Sequence, residues 1–260
     1  MLARAPQGAR CVYEVPIMRI ALSLLALGLL LSGCSQSRSP DGIWINQDAI
    51  SAAKQTGKLR EAILAYGPNL EWQLDSPLNR ARFGNGFEIG EGALRQAQDG
   101  IWRFDLSEEQ HQYLYQRGEQ LEQGASEFFP KQMFARPTIK VEPAAPLGSS
   151  FEQSLYAALL GGQWQIIEGP GQGGLVHFHP DGKIEGLPGS ERYALCLAGD
   201  CADMAGEHDS LWLQLGDQGR EWLFSLDDDQ LSLFEAINFA APDEKPNYRP
   251  GARRWLLERD

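Results

Sequence analysis

The stretch SFEQSLYAALLGGQWQIIE, residues 150–168, decides the reading of the fold. Phe151, Leu155 and Leu159 recur every four residues and form one apolar stripe, the mark of an amphipathic helix. Ser150 stands where an N-cap belongs and Gln153 follows three residues later, as in a capping box. Gly161-Gly162 stops the helix, and residues 163–168 continue as a strand. Short strand-like segments then follow at 175–179, 183–186, 192–197, 210–214, 221–226, 231–238 and 255–258. Pro180-Asp181-Gly182 and Asp227-Asp228-Asp229 sit where hairpin turns are needed. Many short strands at this spacing predict a barrel or sandwich.

Upstream the same signature returns. Gly42-Ile43-Trp44 precedes Gly162-Gln163-Trp164 at an offset of 120 (164 − 44). Trp102, Phe104 and Leu106 alternate along one segment, and Trp222, Phe224 and Leu226 do so at the same offset. Two patterns at one offset argue for a tandem repeat. In the first copy residues 46–66 read as helix, with Asp48 as N-cap, a body over 48–66 and Gly67-Pro68 as the stop. Strands are predicted at 69–75, 81–89, 93–96, 101–106 and 112–116. Residues 137–149 are rich in Pro and Ala and read as a linker, within which Thr138 to Val141 is a candidate strand extension. The expected fold is mainly β with two helices. It comprises two tandem small antiparallel β-barrel-like lobes over 41–136 and 150–260, joined where few contacts cross; the main rival is a single barrel to which each half contributes strands.

Gly-x-Trp at the entry to an all-β unit, with a short helix before the second copy, resembles the lipocalin and wider calycin pattern. The resemblance implies that Trp44 and Trp164 each plug one end of an up-and-down barrel. It also implies that an arginine from the last strand packs over the tryptophan, with Arg253, Arg254 and Arg259 around Trp255 as candidates. The run from Phe178 to Ile184, followed by Gly186, also resembles small β domains of the META type, a second family for the C-terminal half.

The amino-terminal region reads as an address. Met18-Arg19 opens a basic segment and residues 20–31 are almost wholly apolar. A run of about a dozen residues is short for a bilayer span and suits a signal peptide. Leu31-Ser32-Gly33-Cys34 resembles the lipobox of bacterial lipoproteins. The resemblance implies removal of residues 1–33, a diacylglyceryl thioether on Cys34 and acylation, palmitate included, of the new terminus. Residues 34–40 then form a lipidated linker. Residues 1–17 are an odd preface, which fits a start codon assigned too early and Met18 as the start. In that family an Asp after the cysteine retains the protein at the inner membrane. Ser35 therefore points to the outer membrane and the periplasm.

Charge removes one class of partner. The chain carries a formal −12, and residues 1–33 hold Arg4, Arg10 and Arg19 against Glu14, so the mature part carries −14 (−12 − 2). Such a surface repels nucleic acid. Cys11 precedes the expected cut and Cys34 is lipidated, which leaves Cys196 and Cys201. An exported compartment favours a disulfide between them, around the turn signal at 197–200, at roughly 2 kcal/mol for so short a loop. The alternatives are a redox pair or a metal site, although those motifs usually space their cysteines more closely.

Little else carries chemistry. His177 and His179 lie two apart on a strand and share a face, so they are weak metal candidates with His208 or an acid as third ligand. Asp227-Asp228-Asp229 lacks the spacing of a calcium loop. No G-x-S-x-G elbow or phosphate-binding glycine loop appears, and residues 169–174, though glycine-rich, join two strands. No cofactor and no enzyme activity are expected. The expected function is an envelope-anchored binding module for an apolar ligand or a protein partner; the alternative is a structural or assembly accessory without a small-molecule pocket. An interior filled by large apolar side chains would favour the accessory, and a cavity with a few polar groups would favour binding.

Substituting Cys34→Ala is expected to abolish fatty-acid incorporation and leave unprocessed precursor. Metabolic labelling checks this, and label persisting on the variant would refute the lipobox reading.

Overall fold

The computed structural model describes residues 39–126 and 129–259; the leader and Cys34 lie outside them. Sixteen strands and four helices are described. The first barrel contains β1 (Gly42–Ile45), β2 (Glu71–Asp75), β3 (Arg80–Gly84), β4 (Ile89–Gln98), β5 (Ile101–Asp105), β6 (His111–Arg117), β7 (Gln120–Gln123) and β8 (Gln132–Ala135). They pair antiparallel in chain order and the sheet closes through Ile45 against Ala135. The second sheet contains β9 (Gly162–Glu168), β10 (Leu175–Phe178), β11 (Ile184–Glu185), β12 (Arg192–Leu195), β13 (Asp209–Leu215), β14 (Gln218–Asp227), β15 (Gln230–Asn238) and β16 (Tyr248–Arg259). Here β16 returns to pair with β9, and β11 meets β12 through one bridge, Lys183 to Arg192, so this barrel is nearly closed. Two tandem antiparallel barrels are therefore present, as the sequence suggests.

Helices differ from expectation in number and in their caps. The segment read as one helix over 48–66 is two, α1 (Gln47–Thr56) and α2 (Leu59–Tyr66). Gly57 separates them with a left-handed φ of 70°. A Cβ there would lie 2.0 Å from the carbonyl oxygen of Leu226, so both the turn and the close approach require glycine. Asn46, not Asp48, caps α1: its Oδ1 accepts from Ala49 N at 3.1 Å. Helix α3 (Ser149–Leu159) ends as expected, but Ser150 does not cap it. A fourth short helix, α4 (Asp200–Ala205), carries Cys201, where a strand was expected to follow the tight turn between the two cysteines.

The second Trp-Phe-Leu match also changes meaning. Trp102 lies on β5, the fifth strand of its barrel, whereas Trp222 lies on β14, the sixth of its own. The two helices inserted after β1 and the α4 connection before β13 shift the count, so this shared offset links strands that are not equivalent. Leu106 is exposed, whereas Leu226 is buried.

The largest correction concerns the joint. Few contacts were expected between the lobes, yet the described residues fall in one compact unit. Ile45, Ala49, Ile50, Ala53, Leu59 and Ile63 come from the first lobe's segment, and they belong to one continuous cluster with Phe151, Leu155, Trp164, Leu226 and Leu231. The first barrel's interior is a separate cluster built on Trp44, Trp72, Phe104 and Phe134. Helices α1 and α2 thus complete the core of the second barrel. Two carboxylates cross the boundary in opposite directions. Glu71 on β2 accepts from Phe151 N at the start of α3 at 2.8 Å. Asp209 on β13 accepts from Leu59 N at 2.9 Å and Arg60 N at 2.7 Å at the start of α2. Each satisfies orphan N–H groups and puts negative charge at the positive end of a helix. Burial pushes both carboxyl groups above the ordinary range, and the same N–H groups pull them back.

Truncating Trp164, which is fully buried, should cost about 3–5 kcal/mol. With a shared core, Trp164→Ala is expected to expose both lobes to protease in one transition, and Glu71→Ala to lower stability by about 0.5–2 kcal/mol as a lost cap. Limited proteolysis of Trp164→Ala checks this; a resistant fragment spanning residues 41–136 would refute the shared core.

Candidate functional site

Each barrel is sealed at one end by the same assembly. Gly42 and Gly162 adopt φ of 101° and 113°, which turns the chain so that the following tryptophan enters the barrel. Trp44 Nε1 donates to Pro40 O at 2.7 Å and Trp164 Nε1 donates to Leu160 O at 2.8 Å, each four residues back. Arg136 stacks 3.6 Å over the Trp44 ring, and Arg259 stacks 4.4 Å over the Trp164 ring. Arg136 also donates to Ile43 O, Ser39 O and Pro40 O. Arg259 donates to Leu159 O and Gly161 O, the carbonyls at the C-terminus of α3, where positive charge is favoured. Of the three candidates, Arg259 performs the role; Arg253 instead pairs with Glu168 at 2.6 Å, and Arg254 sits beside Trp255. Arg136 was missed, and its signal was available: it directly follows the last strand of the first lobe, much as Arg259 closes the second.

At the opposite end the first barrel is open. The connections β3–β4, β5–β6 and β7–β8 surround a cavity of about 450 Å³. Phe83 and Phe104 form its apolar wall, in edge contact with each other, and Trp72 below meets Phe104 edge-on and Phe83 at a tilt. Leu106 and Phe129 stand at the rim. Asn69, Gln110, His111 and Gln112 supply polar groups, and Glu88 and Glu109 add two carboxylates.

A buried amide cluster fixes the floor beside Asn69. Gln123 Oε1 accepts from Asn69 Nδ2 at 2.9 Å and from Trp72 Nε1 at 3.0 Å. Gln132 Nε2 donates to Tyr66 O and Asn69 O, and Asn46 Nδ2 donates to the same two carbonyls. These bonds hold the junction of α2 and β2 against the barrel wall. Gln123 Nε2 is buried with no hydrogen-bond partner among the described residues. Nothing in the sequence singled out these amides, because Asn and Gln alone carry no spacing signal.

The remaining candidates are scattered. His177 and His179 do share a face, with rings stacked at 4.2 Å, and Glu185 lies 3.3 Å from His179 Nε2. His208 is on the α4–β13 connection and is not part of this group. Among the described residues no group of three or more His, Cys, Asp or Glu side chains is arranged to hold a metal. Cys196 and Cys201 are joined by a disulfide that ties the end of β12 to α4, rather than two strand ends. Among the described residues no helix is long and apolar enough to cross a membrane.

Replacing Arg259 with Ala removes a cation–π contact and two charge-assisted hydrogen bonds, at an expected cost of roughly 2–4 kcal/mol. Arg136→Ala should cost a similar amount. Urea midpoints check this, and midpoints unchanged in both variants would show that the arginines do not seal the barrels.

No protein family, no curated protein and no solved structure matches this chain.

Proposed function

We propose that this protein is a lipid-anchored binding module of the cell envelope, whose first barrel takes an apolar ligand at its open end. The anchor is Cys34, with acyl chains in the outer membrane and the folded part facing the periplasm. The reading rests on one observation: a cavity of about 450 Å³ with an aromatic wall and a few convergent polar groups, at the barrel end opposite the tryptophan plug. That volume lies within the range of about 300–1,000 Å³ usual for small-molecule sites. Phe83, Phe104, Leu106 and Phe129 provide the contact area, and Asn69 and Gln112 provide orientation. The ligand enters only part of the barrel, since Trp44, Trp72 and Phe134 occupy the interior below.

A second reading, a structural accessory of the envelope, is favoured by the same filled interior. In that case the open end is a shallow concavity without an occupant. Titration with N-phenyl-1-naphthylamine, a neutral apolar fluorophore, separates the two. Saturable binding is expected, and Leu106→Glu is expected to weaken it about tenfold, the effect of losing a favourable apolar contact. Leu106 is 43% exposed, so the change should leave stability nearly intact. Absence of saturable binding, or equal binding by the variant, would favour the accessory role. Mass spectrometry of natively purified protein would identify the natural ligand.

A further inference from the structure

The open end of the second barrel has the opposite chemistry. It lies between the β9–β10, β11–β12 and β13–β14 connections and encloses about 500 Å³. Two arginines line it, Arg220 and Arg254, and no acidic residue does. That is unexpected in a chain with 35 acidic against 23 basic residues. Ordinarily such a surface would supply a carboxylate to each guanidinium.

The strand register explains how Arg220 comes to face inward. It pairs across β13–β14 with Leu213, which is buried in the core, and cross-strand partners share a face. Two residues on, Trp222 points the same way. The Arg220 guanidinium lies 4.0 Å from the centre of the Trp222 ring, and that ring packs 5.0 Å from Trp255. Trp255 is itself held, with Nε1 donating to Pro170 O at 3.2 Å. Arg220 is therefore positioned by stacking on a rigid aromatic pair, and stacking leaves the N–H edges of the guanidinium unspent.

Four carboxylates lie near this mouth, and two of them, Asp217 in the β13–β14 turn and Glu235 across from Trp222, form no ion pair among the described residues. Glu191 accepts from Gly216 N at 2.8 Å, and Glu168 pairs with Arg253. Among the described residues neither Arg220 nor Arg254 forms an ion pair. Two unpaired guanidinium groups over apolar walls at a barrel mouth suit a ligand with both characters. An anionic oxygen group would accept from the arginine edges, and an apolar body would rest on Leu215 and Pro188.

We infer that the mouth of the second barrel is a separate binding site for an organic anion, a carboxylate on a flat apolar body, recognised by Arg220 and Arg254. This site is independent of the apolar cavity in the first barrel, whose lining carries Glu88 and Glu109 and no Lys or Arg.

The test uses the purified full chain and three matched probes: 2-naphthoate, neutral 2-naphthol and cationic 2-naphthylmethylamine. Calorimetric titration is expected to show 2-naphthoate binding more tightly than the other two. Arg220→Ala combined with Arg254→Ala is expected to weaken naphthoate binding by roughly 10–100-fold, the loss of a charge-assisted hydrogen bond at the anion. The thermal midpoint should be nearly unchanged, since both side chains are exposed. Raising the salt concentration should weaken binding to the wild-type chain as well. Equal affinity for the three probes, an unchanged affinity in the double variant, or no naphthoate binding at millimolar concentration would each overturn the inference.

Discussion

Everything in this architecture depends on the apolar layer formed by α1, α2 and α3 between the two barrels. An eight-stranded barrel this small must bury its helical neighbours' apolar faces somewhere, and here the first lobe lends α1 and α2 to the core of the second, where α3 also packs. Helices α1 and α2 arise between β1 and β2 of the first barrel, yet their buried faces finish the core of the second. The approach is close enough that Gly57 touches the Leu226 backbone. Glu71 and Asp209 then cap helices belonging to the opposite lobe, so the two segments are joined by charge-assisted hydrogen bonds as well as by burial. A carboxylate buried this deeply is tolerated only because backbone N–H groups are already aimed at it.

The plugs decide where function can reside. With Trp44 and Arg136 sealing one end of the first barrel and aromatic side chains filling its middle, space remains only at the far mouth. The second barrel follows the same rule, and its helix-covered end is closed by Trp164 and Arg259. The two mouths therefore share a geometry and differ in charge: carboxylates at one rim, unpaired arginines at the other. A protein with the same barrel built twice can hold two chemistries because rim residues do not contribute to the core and are free to vary.

The helix over 149–159, most of the strands and the disulfide partners were legible from local pattern. Periodicity, turn residues and cysteine arithmetic are local quantities. β7 and β8 were not foreseen because they are four residues each and carry Gln at buried positions, Gln123 and Gln132, where an apolar side chain is the usual signal. The same two glutamines fix the floor of the first cavity, so the site was hidden for the same reason as the strands. Asp48 and Ser150 were reasonable cap candidates by sequence position. They lost to Asn46, whose amide also bonds two carbonyls of the α2–β2 junction, and to Glu71, which lies 80 residues away from the helix it caps.

By itself the sequence determined that this chain is mainly β, with Gly-x-Trp repeated at the entry to each half and one cysteine pair in the second; closure into two separate barrels was only what the lipocalin resemblance implied. The β pattern, the repeat and the cysteine pair follow from alternation, glycine conformation and spacing along the chain. Only the tertiary structure decided that the lobes share a core, that Arg136 and Arg259 seal the plugs, and that the two mouths carry opposite charge. Each of these is a contact between residues far apart in sequence. Its energy depends on the angle at which two surfaces meet, and no periodicity within either surface records that angle.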